Sequence, residues 1–264
     1  MSMKLALLVL FALFAVALAH ATQSPAHHDA SYPKEKETSK EREKITKVNV
    51  TVYYETLCSD SVNFITTQVY PLVSNHNKSI SHYLNVTFVP FGKSKFNKSE
   101  SGYNFECHHG EEECEGNKYH ACAIKHITNK DILYSYINCT ATLGLKTKGS
   151  NYSAGKQCAD ELKVDFDTLN TCVNGTEGAD LLAMYGNQTL DLKLDFVPSV
   201  TFNNVHNKEK QSEALKNLQG VLCKEIPNSG KLIAECAGTP NSAPSVMSGT
   251  FVMLMTTLVA SRLY

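Results

Sequence analysis

"VNVTVYYETLCSDSVNFITTQVYPL", residues 48–72, carries two periodicities back to back. Val48, Val50, Val52 and Tyr54 alternate with Asn49, Thr51 and Tyr53, which is the period of a strand. Past Cys58 the period changes, and Val62, Ile65, Val69 and Leu72 fall on one helical stripe that Pro71 interrupts near its end. "LNVTFVP", residues 84–90, reads as a second strand. Strand, helix and strand in that order predict a parallel crossover unit, and hence an α/β domain.

Cys58 stands where the first strand hands over to the helix. Cys58-Ser59-Asp60-Ser61 has the spacing of a Cys-x-x-Cys redox motif, with a hydroxyl in place of the second thiol. Free N–H groups and the positive end of a helix dipole favour thiolate at this position, and thiolate is the attacking species in disulfide exchange. Ser61 cannot act as a resolving group, because an alkoxide is inaccessible at physiological pH and no stable S–O link would result. On spacing alone the plainer reading stays open, in which Cys58 packs as a small unpaired hydrophobe.

The rest of the composition speaks to compartment. Lys4, the apolar run Leu5–Leu18 and the small-x-small triplets ending at Ala19 and Ala21 read as a secretory signal over 1–21. The run is too short for the roughly 20 residues of a membrane span. Asn49, Asn77, Asn85, Asn97, Asn138, Asn151, Asn174 and Asn187 each begin an Asn-x-Ser/Thr triplet without proline, which points to a lumenal glycoprotein. With Asn49 inside a strand, some of these are expected to stay unmodified.

Nine cysteines suit an oxidising compartment, and an odd number leaves one over. Setting Cys58 aside leaves Cys107, Cys114, Cys122, Cys139, Cys158, Cys172, Cys223 and Cys236, enough for four bridges. Of all pairings, Cys223 with Cys236 is favoured as a short loop closing the end of the domain. A net charge of −1 argues against nucleic acid or any strongly charged partner.

Residues 22–46 are charged and lack apolar periodicity, as a flexible arm or propeptide would. One domain is expected over 47–236, with a cysteine-rich helical insertion at about 105–187 that includes a helical pattern from Ala121 to Tyr136. "DFVPSVTF", residues 195–202, returns to strand character, and Leu215, Leu218 and Leu222 read as one closing amphipathic helix. Over 237–264 a small-residue spacer precedes the apolar stretch Phe251–Ala260, the layout of a glycolipid-anchor signal with attachment near Asn241, Ser242 or Ala243. A short tail-type span or a plain apolar tail are the competing readings.

"CHHGEEECEGNKYHAC", residues 107–122, meets the pattern C-x-H-G-x-x-E-C-x-x-N-x-x-x-x-C at every fixed position. In this it resembles the gamma-interferon-inducible lysosomal thiol reductase family. The likeness extends from "VNVTVYYETLC" through this signature to "DFVPSVTFNN", covering roughly 47–236. It implies a thioredoxin-like fold with a disulfide-stapled helical insertion, in a secreted or lysosomal glycoprotein that reduces protein disulfides at acidic pH.

The same resemblance makes Cys58 the attacking cysteine and Pro198 a cis-proline beside it; from the residues alone Pro198 could equally end a strand. Ser61 is the departure, since working members carry cysteine there. Three readings follow: single-thiol exchange with an external thiol, lasting capture of disulfide-containing partners, or a non-catalytic, surface-anchored or secreted binding protein. No cofactor is expected. Cys107, His108, His109, Cys114, His120 and Cys122 could be read as metal ligands, but the compartment favours disulfides and the spacing matches no common zinc pattern, so no metal is expected. Glu111–Glu113 reads as a solvated acidic face.

Overall fold

The computed structural model describes residues 46–74, 78–100, 102–146 and 151–237. The leader, nearly all of the charged arm and of the C-terminal tail, and Asn77 lie outside the described residues, as does the side chain of Asn151.

Strand β1 (Val48–Tyr54) is the middle of a three-stranded sheet, and its apolar residues Val48, Val50, Val52 and Tyr54 are buried in a core shared with the helices. It leads into α1 (Ser59–Phe64), a π turn over Ile65–Val69, and α2 (Tyr70–Val73). Val62, Ile65, Val69 and Leu72 are all buried, as the stripe predicts. Inside a regular helix, Pro71 would remove a backbone bond and clash with the carbonyl four residues back. The wider π turn lies immediately ahead of it, and such bulges are a recognised way to absorb an interruption.

After α3 (Lys78–Ser81) the chain enters β2 (Leu84–Pro90), parallel to β1 with Val48 opposite Leu84 and Tyr54 opposite Pro90. Strands β3 (Lys95–Ser99) and β4 (Gly102–Glu106) form a separate antiparallel hairpin that the sequence reading did not foresee. Its aromatic residues bring it against the helices that follow, with Phe96 packed close to Gly186. A Cβ at Gly186 would stand 2.6 Å from Phe96 and 2.9 Å from Phe91.

Among the described residues, five helices make up the insertion: α4 (Glu111–His126), α5 (Lys130–Lys146), α6 (Asn151–Leu162), α7 (Phe166–Asn174) and α8 (Thr176–Leu190). The expected single pattern from Ala121 to Tyr136 is in fact two helices. The Asn129 side chain accepts from the N–H groups of Asp131 and Ile132 at 2.9 and 3.2 Å, so it caps a new helix and ends the old one. Strand β5 (Ser199–Phe202) then returns to the sheet antiparallel to β1, giving the order β2-β1-β5. It is shorter than the 195–202 reading, and the segment before it contains a cis Val197–Pro198 bond.

The closing helix is likewise two, α9 (Lys208–Ala214) and α10 (Leu218–Glu225), since Asn217 accepts from the Gly220 N–H at 2.9 Å and starts α10 afresh. Helix α11 (Ser229–Leu232) and a 3-10 turn at Ala234–Cys236 finish the described chain.

Four disulfides staple this arrangement: Cys107–Cys114, Cys122–Cys172, Cys139–Cys158 and Cys223–Cys236. The second ties α4 to α7 across 50 residues, the third ties α5 to α6, and the last is the pair favoured from the sequence. Sheet and insertion share one core in which Val50, Val86, Tyr119, Leu133, Ile137 and Leu222 meet. The fold is thioredoxin-like, with the insertion packed into the same core as the sheet.

Candidate functional site

Cys58 is the one cysteine left free, and it is partly exposed. It occupies the N-cap of α1, its N–H reaching the Glu55 carbonyl at 3.4 Å and its carbonyl accepting from Val62 N–H at 3.0 Å. Ser61 lies one turn on and is fully buried, its Oγ accepting from the Glu55 N–H at 3.4 Å. Pro198 stands just before β5, whose Ser199 is opposite Tyr53 of β1. The cis bond therefore sits at the end of the sheet from which the chain runs on to Cys58.

The cysteine-rich segment brackets this turn. Thr56 donates through both its N–H and its Oγ1 to Asn117 Oδ1, at 3.1 and 3.0 Å. Glu55 is fully buried; Oε1 accepts from Lys93 N–H at 2.7 Å, and Oε2 faces His108 Nδ1 at 3.4 Å and His109 Nδ1 at 3.5 Å. Gly92 makes room for it: its φ is +61°, and a Cβ there would lie 2.3 Å from Glu55 Cγ.

Glu113 is also fully buried, so the solvated face expected over Glu111–Glu113 holds only for Glu111 and Glu112. Position 113 is one helical turn past His109, and its carboxylate takes the His109 N–H at 3.0 Å and His109 Nδ1 at 2.6 Å. Burial, then the Glu55 carboxylate, push Glu113 above the usual carboxylate range, with His109 pulling the other way.

Residues 49–162 match the family model described as gamma interferon inducible lysosomal thiol reductase. GILT-like protein 1 of Drosophila melanogaster is 41% identical over 192 residues, 68% of this chain and 75% of that protein. The gamma-interferon-inducible lysosomal thiol reductase-like protein of Anopheles gambiae is 36% identical over 230 residues, 83% of this chain and 92% of that one. The chain belongs to this thiol reductase family. Among solved structures, DsbA of Chlamydia trachomatis is similar at a TM-score of 0.44 and 17% identity, covering 73% of this chain and 94% of that one.

The family signature thus has a structural meaning in this thiol reductase relative. Cys107 and Cys114 close a short loop, Gly110 takes a φ of +90° in the turn between them, and His109, Glu113 and Asn117 face the turn that carries Cys58. Asn117 Nδ2 is buried without a hydrogen-bond partner, so the amide is held for its oxygen. Asn117→Ala would leave the buried Thr56 N–H unpaired, while Thr56 Oγ1 keeps the Glu113 carbonyl at 3.4 Å. We expect a loss of about 1 kcal/mol in urea unfolding, at the low end of such losses because one unpaired donor leaves with the side chain.

Beneath the signature lies a chain of buried polar groups. Tyr54 Oη meets His120 Nδ1 at 2.7 Å, His120 Nε2 meets Thr140 Oγ1 at 2.8 Å, and Thr140 donates to the Tyr136 carbonyl at 2.8 Å. Thr140 thus accepts from Nε2–H, which leaves Nδ1 to accept from Tyr54. Burial lowers the His120 pKa to about 3 and raises Tyr54 well above its ordinary value.

Of the sequon asparagines, Asn49, Asn85, Asn97, Asn174 and Asn187 are exposed and Asn138 is half-buried. Asn49 and Asn85 are direct cross-strand neighbours, with Asn85 Nδ2 donating to Asn49 Oδ1 at 2.9 Å. Among the described residues no helix is long and apolar enough to cross a membrane. Glu55 escaped the sequence reading altogether, and His120 was weighed only as a metal ligand. The His109–Glu113 spacing at a helix start was the one local signal available for the buried pair.

Proposed function

We propose that the chain exchanges protein disulfides through Cys58 alone, as a glycoprotein of the secretory or lysosomal pathway. The Cys58 thiolate attacks one sulfur of a substrate disulfide, forms the Cys58–substrate bond, and releases the second substrate sulfur as a thiolate that takes up a proton. An external thiol, of the class of free cysteine or glutathione, then attacks Cys58 Sγ and frees the reduced substrate. A second external thiol restores Cys58 and leaves as the small-molecule disulfide. Reducing one substrate disulfide therefore oxidises two external thiols.

The observation that carries this reading is the contrast among the cysteines: eight are closed in bridges, and the ninth is free and partly exposed at the start of α1. Ser61 favours a second reading within the same chemistry. Its hydroxyl is buried and holds the Glu55 N–H, so nothing at position 61 competes for a mixed disulfide once formed. Where external thiol is scarce, the protein would hold its partner covalently.

The test is to incubate the folded chain with a disulfide-bonded protein, quench with acid, and weigh the products without reductant. A one-to-one adduct through Cys58, dissolved by glutathione and absent from Cys58→Ser, is the expected result. No adduct from the native chain would leave only a binding role for the fold.

A further inference from the structure

We infer that Glu55, His108 and His109 form a site for a divalent cation of the zinc class, on the turn that leads to Cys58. Their three candidate ligand atoms, one carboxylate oxygen and two imidazole nitrogens, lie within 4.8 Å of one another. The individual spacings are the stronger argument. A tetrahedral ion with N and O ligands at about 2.0–2.2 Å sets its ligand atoms about 3.3–3.6 Å apart. Glu55 Oε2 stands 3.4 Å from His108 Nδ1 and 3.5 Å from His109 Nδ1.

Those distances are too long for charge-assisted hydrogen bonds, which run at about 2.7–2.9 Å. The His109–Glu113 contact at 2.6 Å shows what a closed pair looks like in this same cluster. Glu55 Oε2 therefore belongs to a fully buried carboxylate and faces two imidazoles without a short bond to either. A carboxylate so buried is costly unless paired or bound to a metal.

The shape suits a bound ion with one open position. Glu55 forms the floor at 0% side-chain exposure, while His108 and His109 form a rim at 51% and 37%. Water or a thiolate could complete the tetrahedron from the solvent side. Imidazole with carboxylate selects zinc-like ions over calcium or magnesium, which prefer all-oxygen sites. The proton that His109 Nδ1 shares with Glu113 leaves that nitrogen when the ion binds.

Among the described residues a second convergence of such groups, His126, Cys172 and Glu177, lacks this character. There the sulfur is tied in the Cys122–Cys172 bridge, and His126 is already paired with Glu177 at 3.1 Å. No local spacing announces the proposed site either, because Glu55 and His108 are 53 residues apart in sequence.

The test titrates Zn2+ alone against a chromogenic chelator, using the full chain with Cys58→Ser so that the free thiol contributes nothing. One ion per chain is expected to survive that substitution. His108→Ala, on the exposed rim where folding is not at stake, should weaken it at least about 10-fold, since even loss of an outer-shell partner costs 10–100-fold. His126→Ala should leave it unchanged, and Co2+ in the same site should show the intense visible absorption of a tetrahedral ion without a thiolate band. Absent binding in the Cys58→Ser chain, or binding indifferent to His108→Ala, would overturn the site.

Discussion

A Ser61→Cys variant should turn a mixed disulfide that persists into one that resolves itself. In the native chain, Cys58 bound to a substrate sulfur has no neighbouring thiol, because the other eight cysteines are in bridges and position 61 is a hydroxyl. Position 61 is one helical turn beyond Cys58 and faces the interior. A thiol there replaces a group that accepts one backbone N–H at 3.4 Å, and losing that bond costs about 1 kcal/mol or less.

In return the chain gains an intramolecular nucleophile. The new thiol attacks Cys58 Sγ, closes a disulfide between positions 58 and 61, and expels the reduced substrate. With no external thiol present, the adduct should decay at least about tenfold faster than in the native chain, by effective concentration alone. Non-reducing mass analysis over time reads this directly, with Cys58→Ser/Ser61→Cys as the control that forms no adduct by this route. An adduct equally long-lived in Ser61→Cys would mean that the two positions do not meet, and the exchange reading of α1 would fall.

The second large effect is on stability in acid. His120 is buried, and its pKa is held at about 3, against about 6.5 for a free imidazole. The folded state thus prefers neutral His120. Its contribution is complete above about pH 6.5 and is lost as pH falls toward 3, at about 1.4 kcal/mol per unit. Between pH 7 and pH 5 the loss is about 2 kcal/mol.

Glu113 acts in the opposite sense. Its folded pKa is raised, so its contribution is present below the ordinary carboxylate value and disappears as pH rises through the folded one. The two overlap in mildly acidic solution, which makes the difference between variants the clean measurement. Urea unfolding of the native chain and of His120→Gln at pH 7 and pH 5 should show a native pH dependence steeper by about 2 kcal/mol. Glu113→Gln should shift the dependence the other way. Parallel curves for native and His120→Gln would mean that the imidazole is hydrated or charged in the folded state. In acid the Tyr54–His120–Thr140 chain is a cost to stability, which the four disulfides oppose.

Much of the fold was legible from short-range pattern. The valine alternation of β1 and the Val62–Leu72 stripe predict what they form, because both periods record which side chains meet the core. Where local chemistry outweighed the stripe, the reading failed. Asn129 and Asn217 each begin a new helix inside what looked like one, because a side-chain oxygen offered to free N–H groups outweighs the continuity of an apolar pattern. The β3–β4 hairpin was missed for a related reason. Lys95–Ser99 is mostly exposed and polar, so little apolar periodicity marks it as a strand.

The sequence by itself determined the family, the odd cysteine and the hydroxyl opposite it, since those depend only on which residues stand in which order. Its odd cysteine count left one over, for which Cys58, free in the structure, was the candidate, and the shortness of the last loop favoured Cys223–Cys236. Tertiary structure alone decided the other three pairings, the burial of Glu55 and Glu113, and the meeting of His108 and His109 with Glu55. Such contacts join residues far apart in the chain, His108 and Glu55 being separated by 53 positions, and buried electrostatics depends on desolvation and on partners that no local window contains.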